Sequence, residues 1–585
     1  MKKYPLLAGL LIAVASVVAI ASAWHDAPIV DEDPHIGAGY SYIAGHTYEF
    51  NPEHPPLAKD FAGLALIFLH INPKILPTAE TAVNDQWNFG RSLIYHSGVD
   101  PILLIHVARL PLILFFIFCG WLIFLWARKT YNSRAALLAV FLFAFCPTVI
   151  AHSRFVTTDV PALFGVLFAT YFFLRYLQEQ KTANFWLASL SFGIALLTKF
   201  STFLLVPYFL LLVLVWAWSQ HREFFKPALR LLVKSILVMA VGFVVVVGSV
   251  YQLHVFDYPP AQQKNDAATI LTGYQIPIVA DIVVWGSDKP ILRAYAQWGL
   301  GLAMVFQRAE GGNRTYYLGQ LSSTAFKSYF PVVYALKEPI PFLILLLCAI
   351  WIGWRAWRAG HGPFKNKIRD HFPVFAMLIW IIIYVATSIN VNLNIGIRHL
   401  MPIYGFIFIL VAGAIENSIT KYELRSTNRT LKSLILNSKF LILLLLAWYL
   451  AEFISVYPYY LTYFNEFAGG PSGGHNYVVD SNLDWGQDLW RLGDYVKANH
   501  IQKIYLDYFG WAEQSFYLGD SFVWMHAGQY PSKAQFLKDN SAGGWLGVSA
   551  SYYQESTVDP AQPYAWLGQP TTVIGNSIFV FHVTP

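Results

Sequence analysis

The chain has 585 residues, 56% of them hydrophobic and 17% aromatic, with only 13% charged, where a soluble domain carries about a quarter. That balance excludes an ordinary soluble protein and implies an α-helical polytopic membrane protein. The net charge of +6 is segregated by sign along the chain, so it is not a nucleic-acid footprint and no nucleic-acid partner is expected.

From the N-terminus, "MKKYPLLAGLLIAVASVVAIASAW" has a basic start, an apolar core and an Ala-Ser-Ala resembling a cleavage site. About 19 apolar residues is long for a signal core and enough to span, so an uncleaved helix over 5–23 is expected. Further apolar runs near 101–126, 135–151, 160–177, 229–252, 339–357, 372–388, 400–416 and 439–456 are long enough for single crossings, given ~20 residues each. The run 184–218 is too long for one and reads as two short helices meeting near Lys199 and Phe200, which makes about eleven crossings.

Short cytoplasmic loops collect Lys and Arg. Lys2/Lys3, Arg128/Lys129/Arg134, Arg175/Lys181, Arg222/Lys226/Arg230, Arg355/Arg358/Lys365/Lys367/Arg369 and Lys421/Arg425/Arg429/Lys432 fall on alternate loops. This layout puts the N-terminus in the cytoplasm of a cell (inner or plasma) membrane protein. It divides the chain into a transmembrane catalytic domain, 1–456, and an extracytoplasmic α/β module, 457–585. The outer face then carries the loop 24–100, turns near 152–159 and 389–399, a long loop 253–338, and the module.

In the first outer loop, "AKDFAGLALIFLHI" and "WNFGRSLIYHSG" read as amphipathic helices lying in the membrane interface. In the module, "DLWRLGDYVKAN" has helical spacing, and "KIYLDYF", "GWLGVSA" and "SIFVFHV" read as strands. The run "GGPSGG" (469–474) lacks the Gly-Lys-Ser/Thr ending of a phosphate loop, so a flexible connection is expected. Cys119, Cys146 and Cys348 all lie in apolar runs and read as small hydrophobic fillers with no disulfide.

The residues that could carry chemistry cluster on the outer side. "DEDPHIGAG" (31–39) follows the first helix with three acids, Asp31, Glu32 and Asp33, and then His35. In "FNPEHPPLAK" the two prolines fix the backbone and so set the geometry of His54 and Lys59. "SRFVTTDVP" places Arg154 and Asp159 at the next outer turn, where an Asp before Pro is also an ordinary helix cap. Lys199 lies within an apolar stretch, where a Lys is rare and usually functional unless it snorkels to the interface. Arg314, Lys337, Arg398 and His399 add cations on the same face. An acidic centre ringed by cations suits deprotonation of an acceptor hydroxyl with stabilisation of a departing phosphate.

With "YFPVVYALKEPIP", "NIGIRHLMPIY" and "DSNLDWGQDL", these motifs, spread over about residues 1–500, resemble the GT-C superfamily of glycosyltransferases. The resemblance is to the bacterial relatives of the dolichyl-phosphate-mannose protein mannosyltransferases, and more distantly to the lipid A aminoarabinose transferases. It implies a GT-C membrane fold and inverting sugar transfer from a polyprenyl-phosphate donor on the extracytoplasmic face. Asp31 would be the general base, Glu32 its neighbour and Asp159 the second-loop acid. His54, Lys59, Arg154, Lys199, Arg314, Arg398 and His399 would serve the donor phosphate or substrate.

The expected partners are the lipid-linked donor, the bilayer, and a protein, lipid or glycan acceptor. The resemblance implies no required cofactor, while a divalent metal held by Asp31, Glu32, Asp33, His35 and His54 is chemically permitted; otherwise Asp33 and His35 read as solvated boundary residues. The alternative is a multi-pass transporter or a flippase of a lipid-linked sugar, which the many crossings and Lys199 would suit. The polar residues gather at outer helix ends and no internal repeat is evident, which favours the enzyme.

Overall fold

The computed structural model describes residues 3–72, 75–76, 81–220, 224–360, 362–425 and 429–585, with side chains omitted over 421–437. The side chains of Lys2, Arg222, Lys421, Arg425, Arg429 and Lys432 therefore lie outside the described residues. Among those described, nine helices are long and apolar enough to cross a membrane, from Lys3–Ser22 to Ser438–Ser455. A tenth is counted if Ser133–Ala144 and Pro147–Ser153, bent by 63°, form one span. The bend falls where Pro147 follows Cys146, because proline disfavours helical backbone in the residue before it. The expected run 184–218 does divide, with Lys199 extended (φ −160°, ψ 141°) between the helix Thr182–Leu196 and the next turn. That helix has only 15 residues, fewer than a straight crossing takes.

The segment read as an acidic loop is a helix, Glu32–Ala44, with Asp31 as its N-cap. Leu57–Leu66 and Gln86–His96, expected to lie in the membrane interface, pack on either side of it. The approach is close enough to require glycine. A Cβ on Gly63 would lie 2.1 Å from the Gly39 carbonyl oxygen, and one on Gly90 would lie 1.9 Å from that of Asp33. Asp33 is buried here and not solvated, and its two carboxylate oxygens have no hydrogen-bond partner among the described residues.

The long loop forms helices Pro260–Ile270, Pro277–Gly286 and Leu292–Gly311, then a hairpin of β1 (Thr315–Tyr317) and β2 (Gln320–Ser322). The C-terminal module is a five-stranded sheet of β3 (Ile504–Asp507), β4 (Phe522–Trp524), β5 (Gly544–Ser549), β6 (Thr572–Ile574) and β7 (Ile578–Val583). Its spatial order is β4-β3-β5-β7-β6, with β3 parallel to β4 and β5 and the other pairings antiparallel. The helix Leu489–Ala498 precedes it. The glycine run 469–474 is a compact series of turns, with Gly470 N–H bonded to Asn465 O and Gly473 N–H to Gly470 O. A Cβ on Gly473 would meet the Ala468 carbonyl oxygen at 2.0 Å, so close packing and not a loose tether explains the glycine there.

The module is tied to the strip of chain just before Asp31. Ala27 N–H bonds Gln487 O and Val30 N–H bonds Trp485 O, both at 2.9 Å. Trp485 is buried among the helices as part of their core. Lys337 was expected to add positive charge to the outer face, but it is buried with its ammonium on the carbonyls of Leu461 and Asn482.

Candidate functional site

The helix Glu32–Ala44 aims its N-terminus at the seam between bundle and module, and the two acids there have different fates. Glu32 is fully buried and held by both Arg109 Nε (2.8 Å) and Nη2 (2.6 Å), with the amides of Ile29 and Val156 on its remaining lone pairs. Arg109 also donates to the carbonyls of Ala23, Asp26 and Ala27, so this pair fixes the segment leading into Asp31. Asp31, partly exposed, makes an ion pair through Oδ2 with Arg398 Nη1 at 2.6 Å. Burial works to raise its pKa, but Arg398, with His35 behind it, prevails and holds the carboxyl below its usual range.

Arg398 organises the centre. Its Nη1 also faces Asp159 Oδ2 at 3.6 Å, while Asp159 Oδ1 holds Lys199 Nζ at 2.6 Å. Two carboxylates therefore share one guanidinium, and one of them also fixes a second cation. Arg398 Nε donates to Ser481 Oγ at 3.1 Å and the guanidinium lies 4.2 Å over the Trp485 ring. Gly396 makes this approach available: its φ is +143°, and a Cβ there would lie 2.3 Å from Ser481 Oγ.

The His-Pro-Pro turn is fixed from below. Lys59 is fully buried, its Nζ within 2.7–2.9 Å of four oxygens, Tyr42 Oη, Asn51 O, Asn51 Oδ1 and His54 O, among which its three N–H groups are shared. Burial pushes its pKa down to about 7. It latches residues 51–54 and lines neither cavity. Burial, with His35 and Lys59 nearby, holds the His54 pKa well below the usual range, so the imidazole is neutral, and its Nδ1 is unpartnered among the described residues.

Two cavities meet at this point. One, of about 270 Å³, has walls that include Phe200, Phe203, Leu302, Phe306 and Phe330, with Lys199, Arg398 and His399 at one end. Phe203 and Phe306 remain exposed on its outer side. The other, of about 320 Å³, is polar and lies between the first loop, the hairpin and the module. Asp31, Glu53, His54, Arg308 and Arg398 line both. Asp480, on the polar side, has left-handed backbone (φ 58°), as does Asn51 (φ 51°), a conformation that Asn and Asp tolerate better than most residues. Burial pushes the Asp480 pKa up to about 6, against the opposing pull of Arg398.

Of the residues singled out in the sequence, Asp31, His54, Lys199, Arg314, Arg398 and His399 line one or both cavities. Asp159 sits behind them as the tether of Lys199 and Arg398. Glu32, Lys59 and Arg154 line neither. Arg154 is turned to Asp26 (3.2 Å) and the Pro458 carbonyl, and Arg314 pairs with Glu555 of the module at 3.1 Å. His35, expected at a solvated boundary, is buried with Nδ1 2.7 Å from Val156 O and lines the polar chamber. Among the described residues no group of three His, Cys, Asp or Glu side chains is arranged to hold a metal ion, Glu32 and Asp31 being turned to arginines.

Sequence reading passed over Arg308, Glu53 and Asp480. Arg308 stands near the end of the helix Leu292–Gly311 with no ion pair among the described residues, and it is the one exposed cation lining both cavities. Its only signal in the sequence was a charge on an otherwise ordinary amphipathic helix.

Residues 104–247 match the family model described as dolichyl-phosphate-mannose-protein mannosyltransferase. A stretch of 84 residues is 32% identical to an uncharacterized protein of Aquifex aeolicus, covering 14% of this chain and 17% of that one. Among solved structures, the chain is similar to ArnT from Cupriavidus metallidurans bound to undecaprenyl phosphate, at 12% identity and a TM-score of 0.48 over 98% of this chain and 97% of that one. It is also similar to the Saccharomyces cerevisiae protein O-mannosyltransferase Pmt1-Pmt2 complex bound to the sugar donor, at 19% identity and a TM-score of 0.32 over 44% and 34%. The segment that matches the family model contains Arg154, Asp159 and Lys199, whereas Asp31, His54 and Arg398 lie outside it.

Proposed function

We propose, for a multi-pass membrane protein whose residues 104–247 match the dolichyl-phosphate-mannose-protein mannosyltransferases, that it is a membrane glycosyltransferase using a polyprenyl-phosphate-linked sugar. The observation that carries this reading is the place of Asp31, at the junction of an apolar cavity ended by cations and a polar chamber. An amphiphile with an anionic head fits the first cavity, its chain against Phe200 and Phe306 and its phosphate against Lys199 and Arg398. The acceptor enters from the polar side. The alternating basic loops of the sequence support an extracytoplasmic position for this side.

In this account the acceptor hydroxyl gives its proton to Asp31 and its oxygen attacks the anomeric carbon from the face opposite the phosphate. The carbon–oxygen bond to the phosphate breaks, the electron pair leaves on the phosphate oxygen, and the configuration inverts. Arg398 and Lys199 stabilise the charge that develops there, a term often worth about 10²–10³ in rate per donor. A donor phosphate drawn to Arg398 also competes with Asp31 for the guanidinium. The anion beside it then raises the proton affinity of the carboxylate as the base is needed. Asp159 keeps both cations in place.

The test is mass analysis of the envelope glycoconjugates from a strain lacking the gene and from the same strain complemented with wild type or Asp31→Asn. The account expects one sugar modification to be missing, restored by wild type and not by the variant. Unchanged glycoconjugates, with a lipid-linked sugar displaced across the membrane instead, would support the flippase.

A further inference from the structure

The polar chamber has a composition that none of the donor chemistry requires. At its mouth Trp87, from the first loop, and Trp511, from the module, lie with ring centroids 5.0 Å apart and planes within 22°. Three polar atoms of residues lining the chamber have no partner among the described residues: His54 Nδ1, the amide nitrogen Nδ2 of Asn394, whose residue is 2% exposed, and Glu53 Oε2. Buried polar atoms are left unmade only at a cost unless something else completes them. Asn394 Nδ2 is a donor and Glu53 Oε2 an acceptor.

A hydroxyl satisfies both kinds, since it carries one donor proton and two acceptor lone pairs. A pyranose ring carries several hydroxyls on its rim and C–H groups on its faces, which suit aromatic surfaces such as those of Trp87, Trp511 and Phe509. A peptide is served less well. One common mode for an extended peptide is addition to a free strand edge, and β1, the strand in the chamber wall, is paired along one side and closed at its C-terminal end on the other. One side pairs with β2, while Leu318 N–H, just beyond its end, bonds Tyr477 O and Tyr317 bridges to Val478. The volume of about 320 Å³ is also that of a small-ligand site, ~300–1,000 Å³.

Building on the glycosyltransferase reading, we propose that the acceptor is a carbohydrate, bound between the first loop and the module with Trp87 and Trp511 as its platform and Asn394 and Glu53 on its hydroxyls. The module is then half of the acceptor site.

The test uses the full-length protein in lipid nanodiscs, with binding read by saturation-transfer NMR. The probes are mannohexaose, chitohexaose and maltohexaose, a Ser/Thr-rich peptide of similar size, and undecaprenyl phosphate read separately. At least one saccharide should bind, and the double variant Trp87→Ala/Trp511→Ala should weaken it by about tenfold or more. Trp87→Phe/Trp511→Phe should retain most of the binding, and undecaprenyl phosphate should bind all three proteins alike. Saccharide binding indifferent to the tryptophans, binding of the peptide alone, or no saccharide binding while undecaprenyl phosphate still binds would each overturn the proposal. A saccharide that binds at the tryptophans without any binding of undecaprenyl phosphate would sink the lipid-donor reading and leave the carbohydrate site standing.

Discussion

Arg398 does what no lysine could do in its place, because it reaches Asp31, Asp159 and Ser481 from one planar group while lying over Trp485. Arg398→Lys keeps the charge and loses that geometry. Transfer should fall by about 10²–10³ with little change in expression, as read by initial rates with a labelled lipid-linked donor. Lys59 has the opposite role. Lys59→Met leaves buried oxygens of Asn51, His54 and Tyr42 without their donor, and should lower stability by roughly 3–5 kcal/mol, seen as a drop in the unfolding temperature in detergent. Asp480 adds a pH dependence. With its pKa pushed up to about 6, it is an anion at neutral pH and becomes neutral as pH falls through about 6. If it accepts a hydrogen bond from the acceptor, kcat/KM should decline over that range in the wild type, and the decline should vanish in Asp480→Asn.

Among the elements, the apolar spans were legible because each is a long run with few charges, and the break at Lys199 was legible as a run too long for one crossing. The helix Glu32–Ala44 was not, since three acids and a Gly-Ala-Gly read locally as loop. Its glycines serve tertiary contacts with Leu57–Leu66 and Gln86–His96 that no local pattern reveals. Strands β3, β5 and β7 carried a pattern, whereas β4 and β6, three residues each, are too short to show one. The same limit applied to the site. Cations beside helix starts, such as Arg398, stood out, but the direction of Lys59 and the exposure of Arg308 depend on packing. Gly63→Ala tests the helix crossing directly. With backbone 2.1 Å from the new Cβ, the helices must separate, at a cost of about 1–3 kcal/mol in thermal unfolding.

At the scale of the whole molecule, the module is fastened where the site lies. Asp26, just after the first helix, pairs with Arg491 of the module at 2.6 Å and with Arg154 at 3.2 Å, all three buried or nearly so. Arg491 in turn holds Asp488 at 2.6 Å. Breaking such a buried cluster by Asp26→Asn leaves two arginines short of charge and should cost roughly 3–5 kcal/mol. It should also loosen the strip 27–30 that leads into Asp31. The topology has its own check: Lys497→Cys in a cysteine-free background should react with an impermeant thiol reagent from the outside of intact cells. Labelling only after lysis would reverse the proposed orientation.

The central claim is that Asp31 takes the acceptor proton at the meeting of the two cavities. The most direct measurement is single-turnover transfer from a radiolabelled polyprenyl-phosphate sugar to acceptor in membranes containing wild type or Asp31→Asn, with donor binding measured alongside. The account predicts that Asn retains donor binding and loses transfer by about 10²–10⁴. Transfer at the wild-type rate in that variant would contradict it.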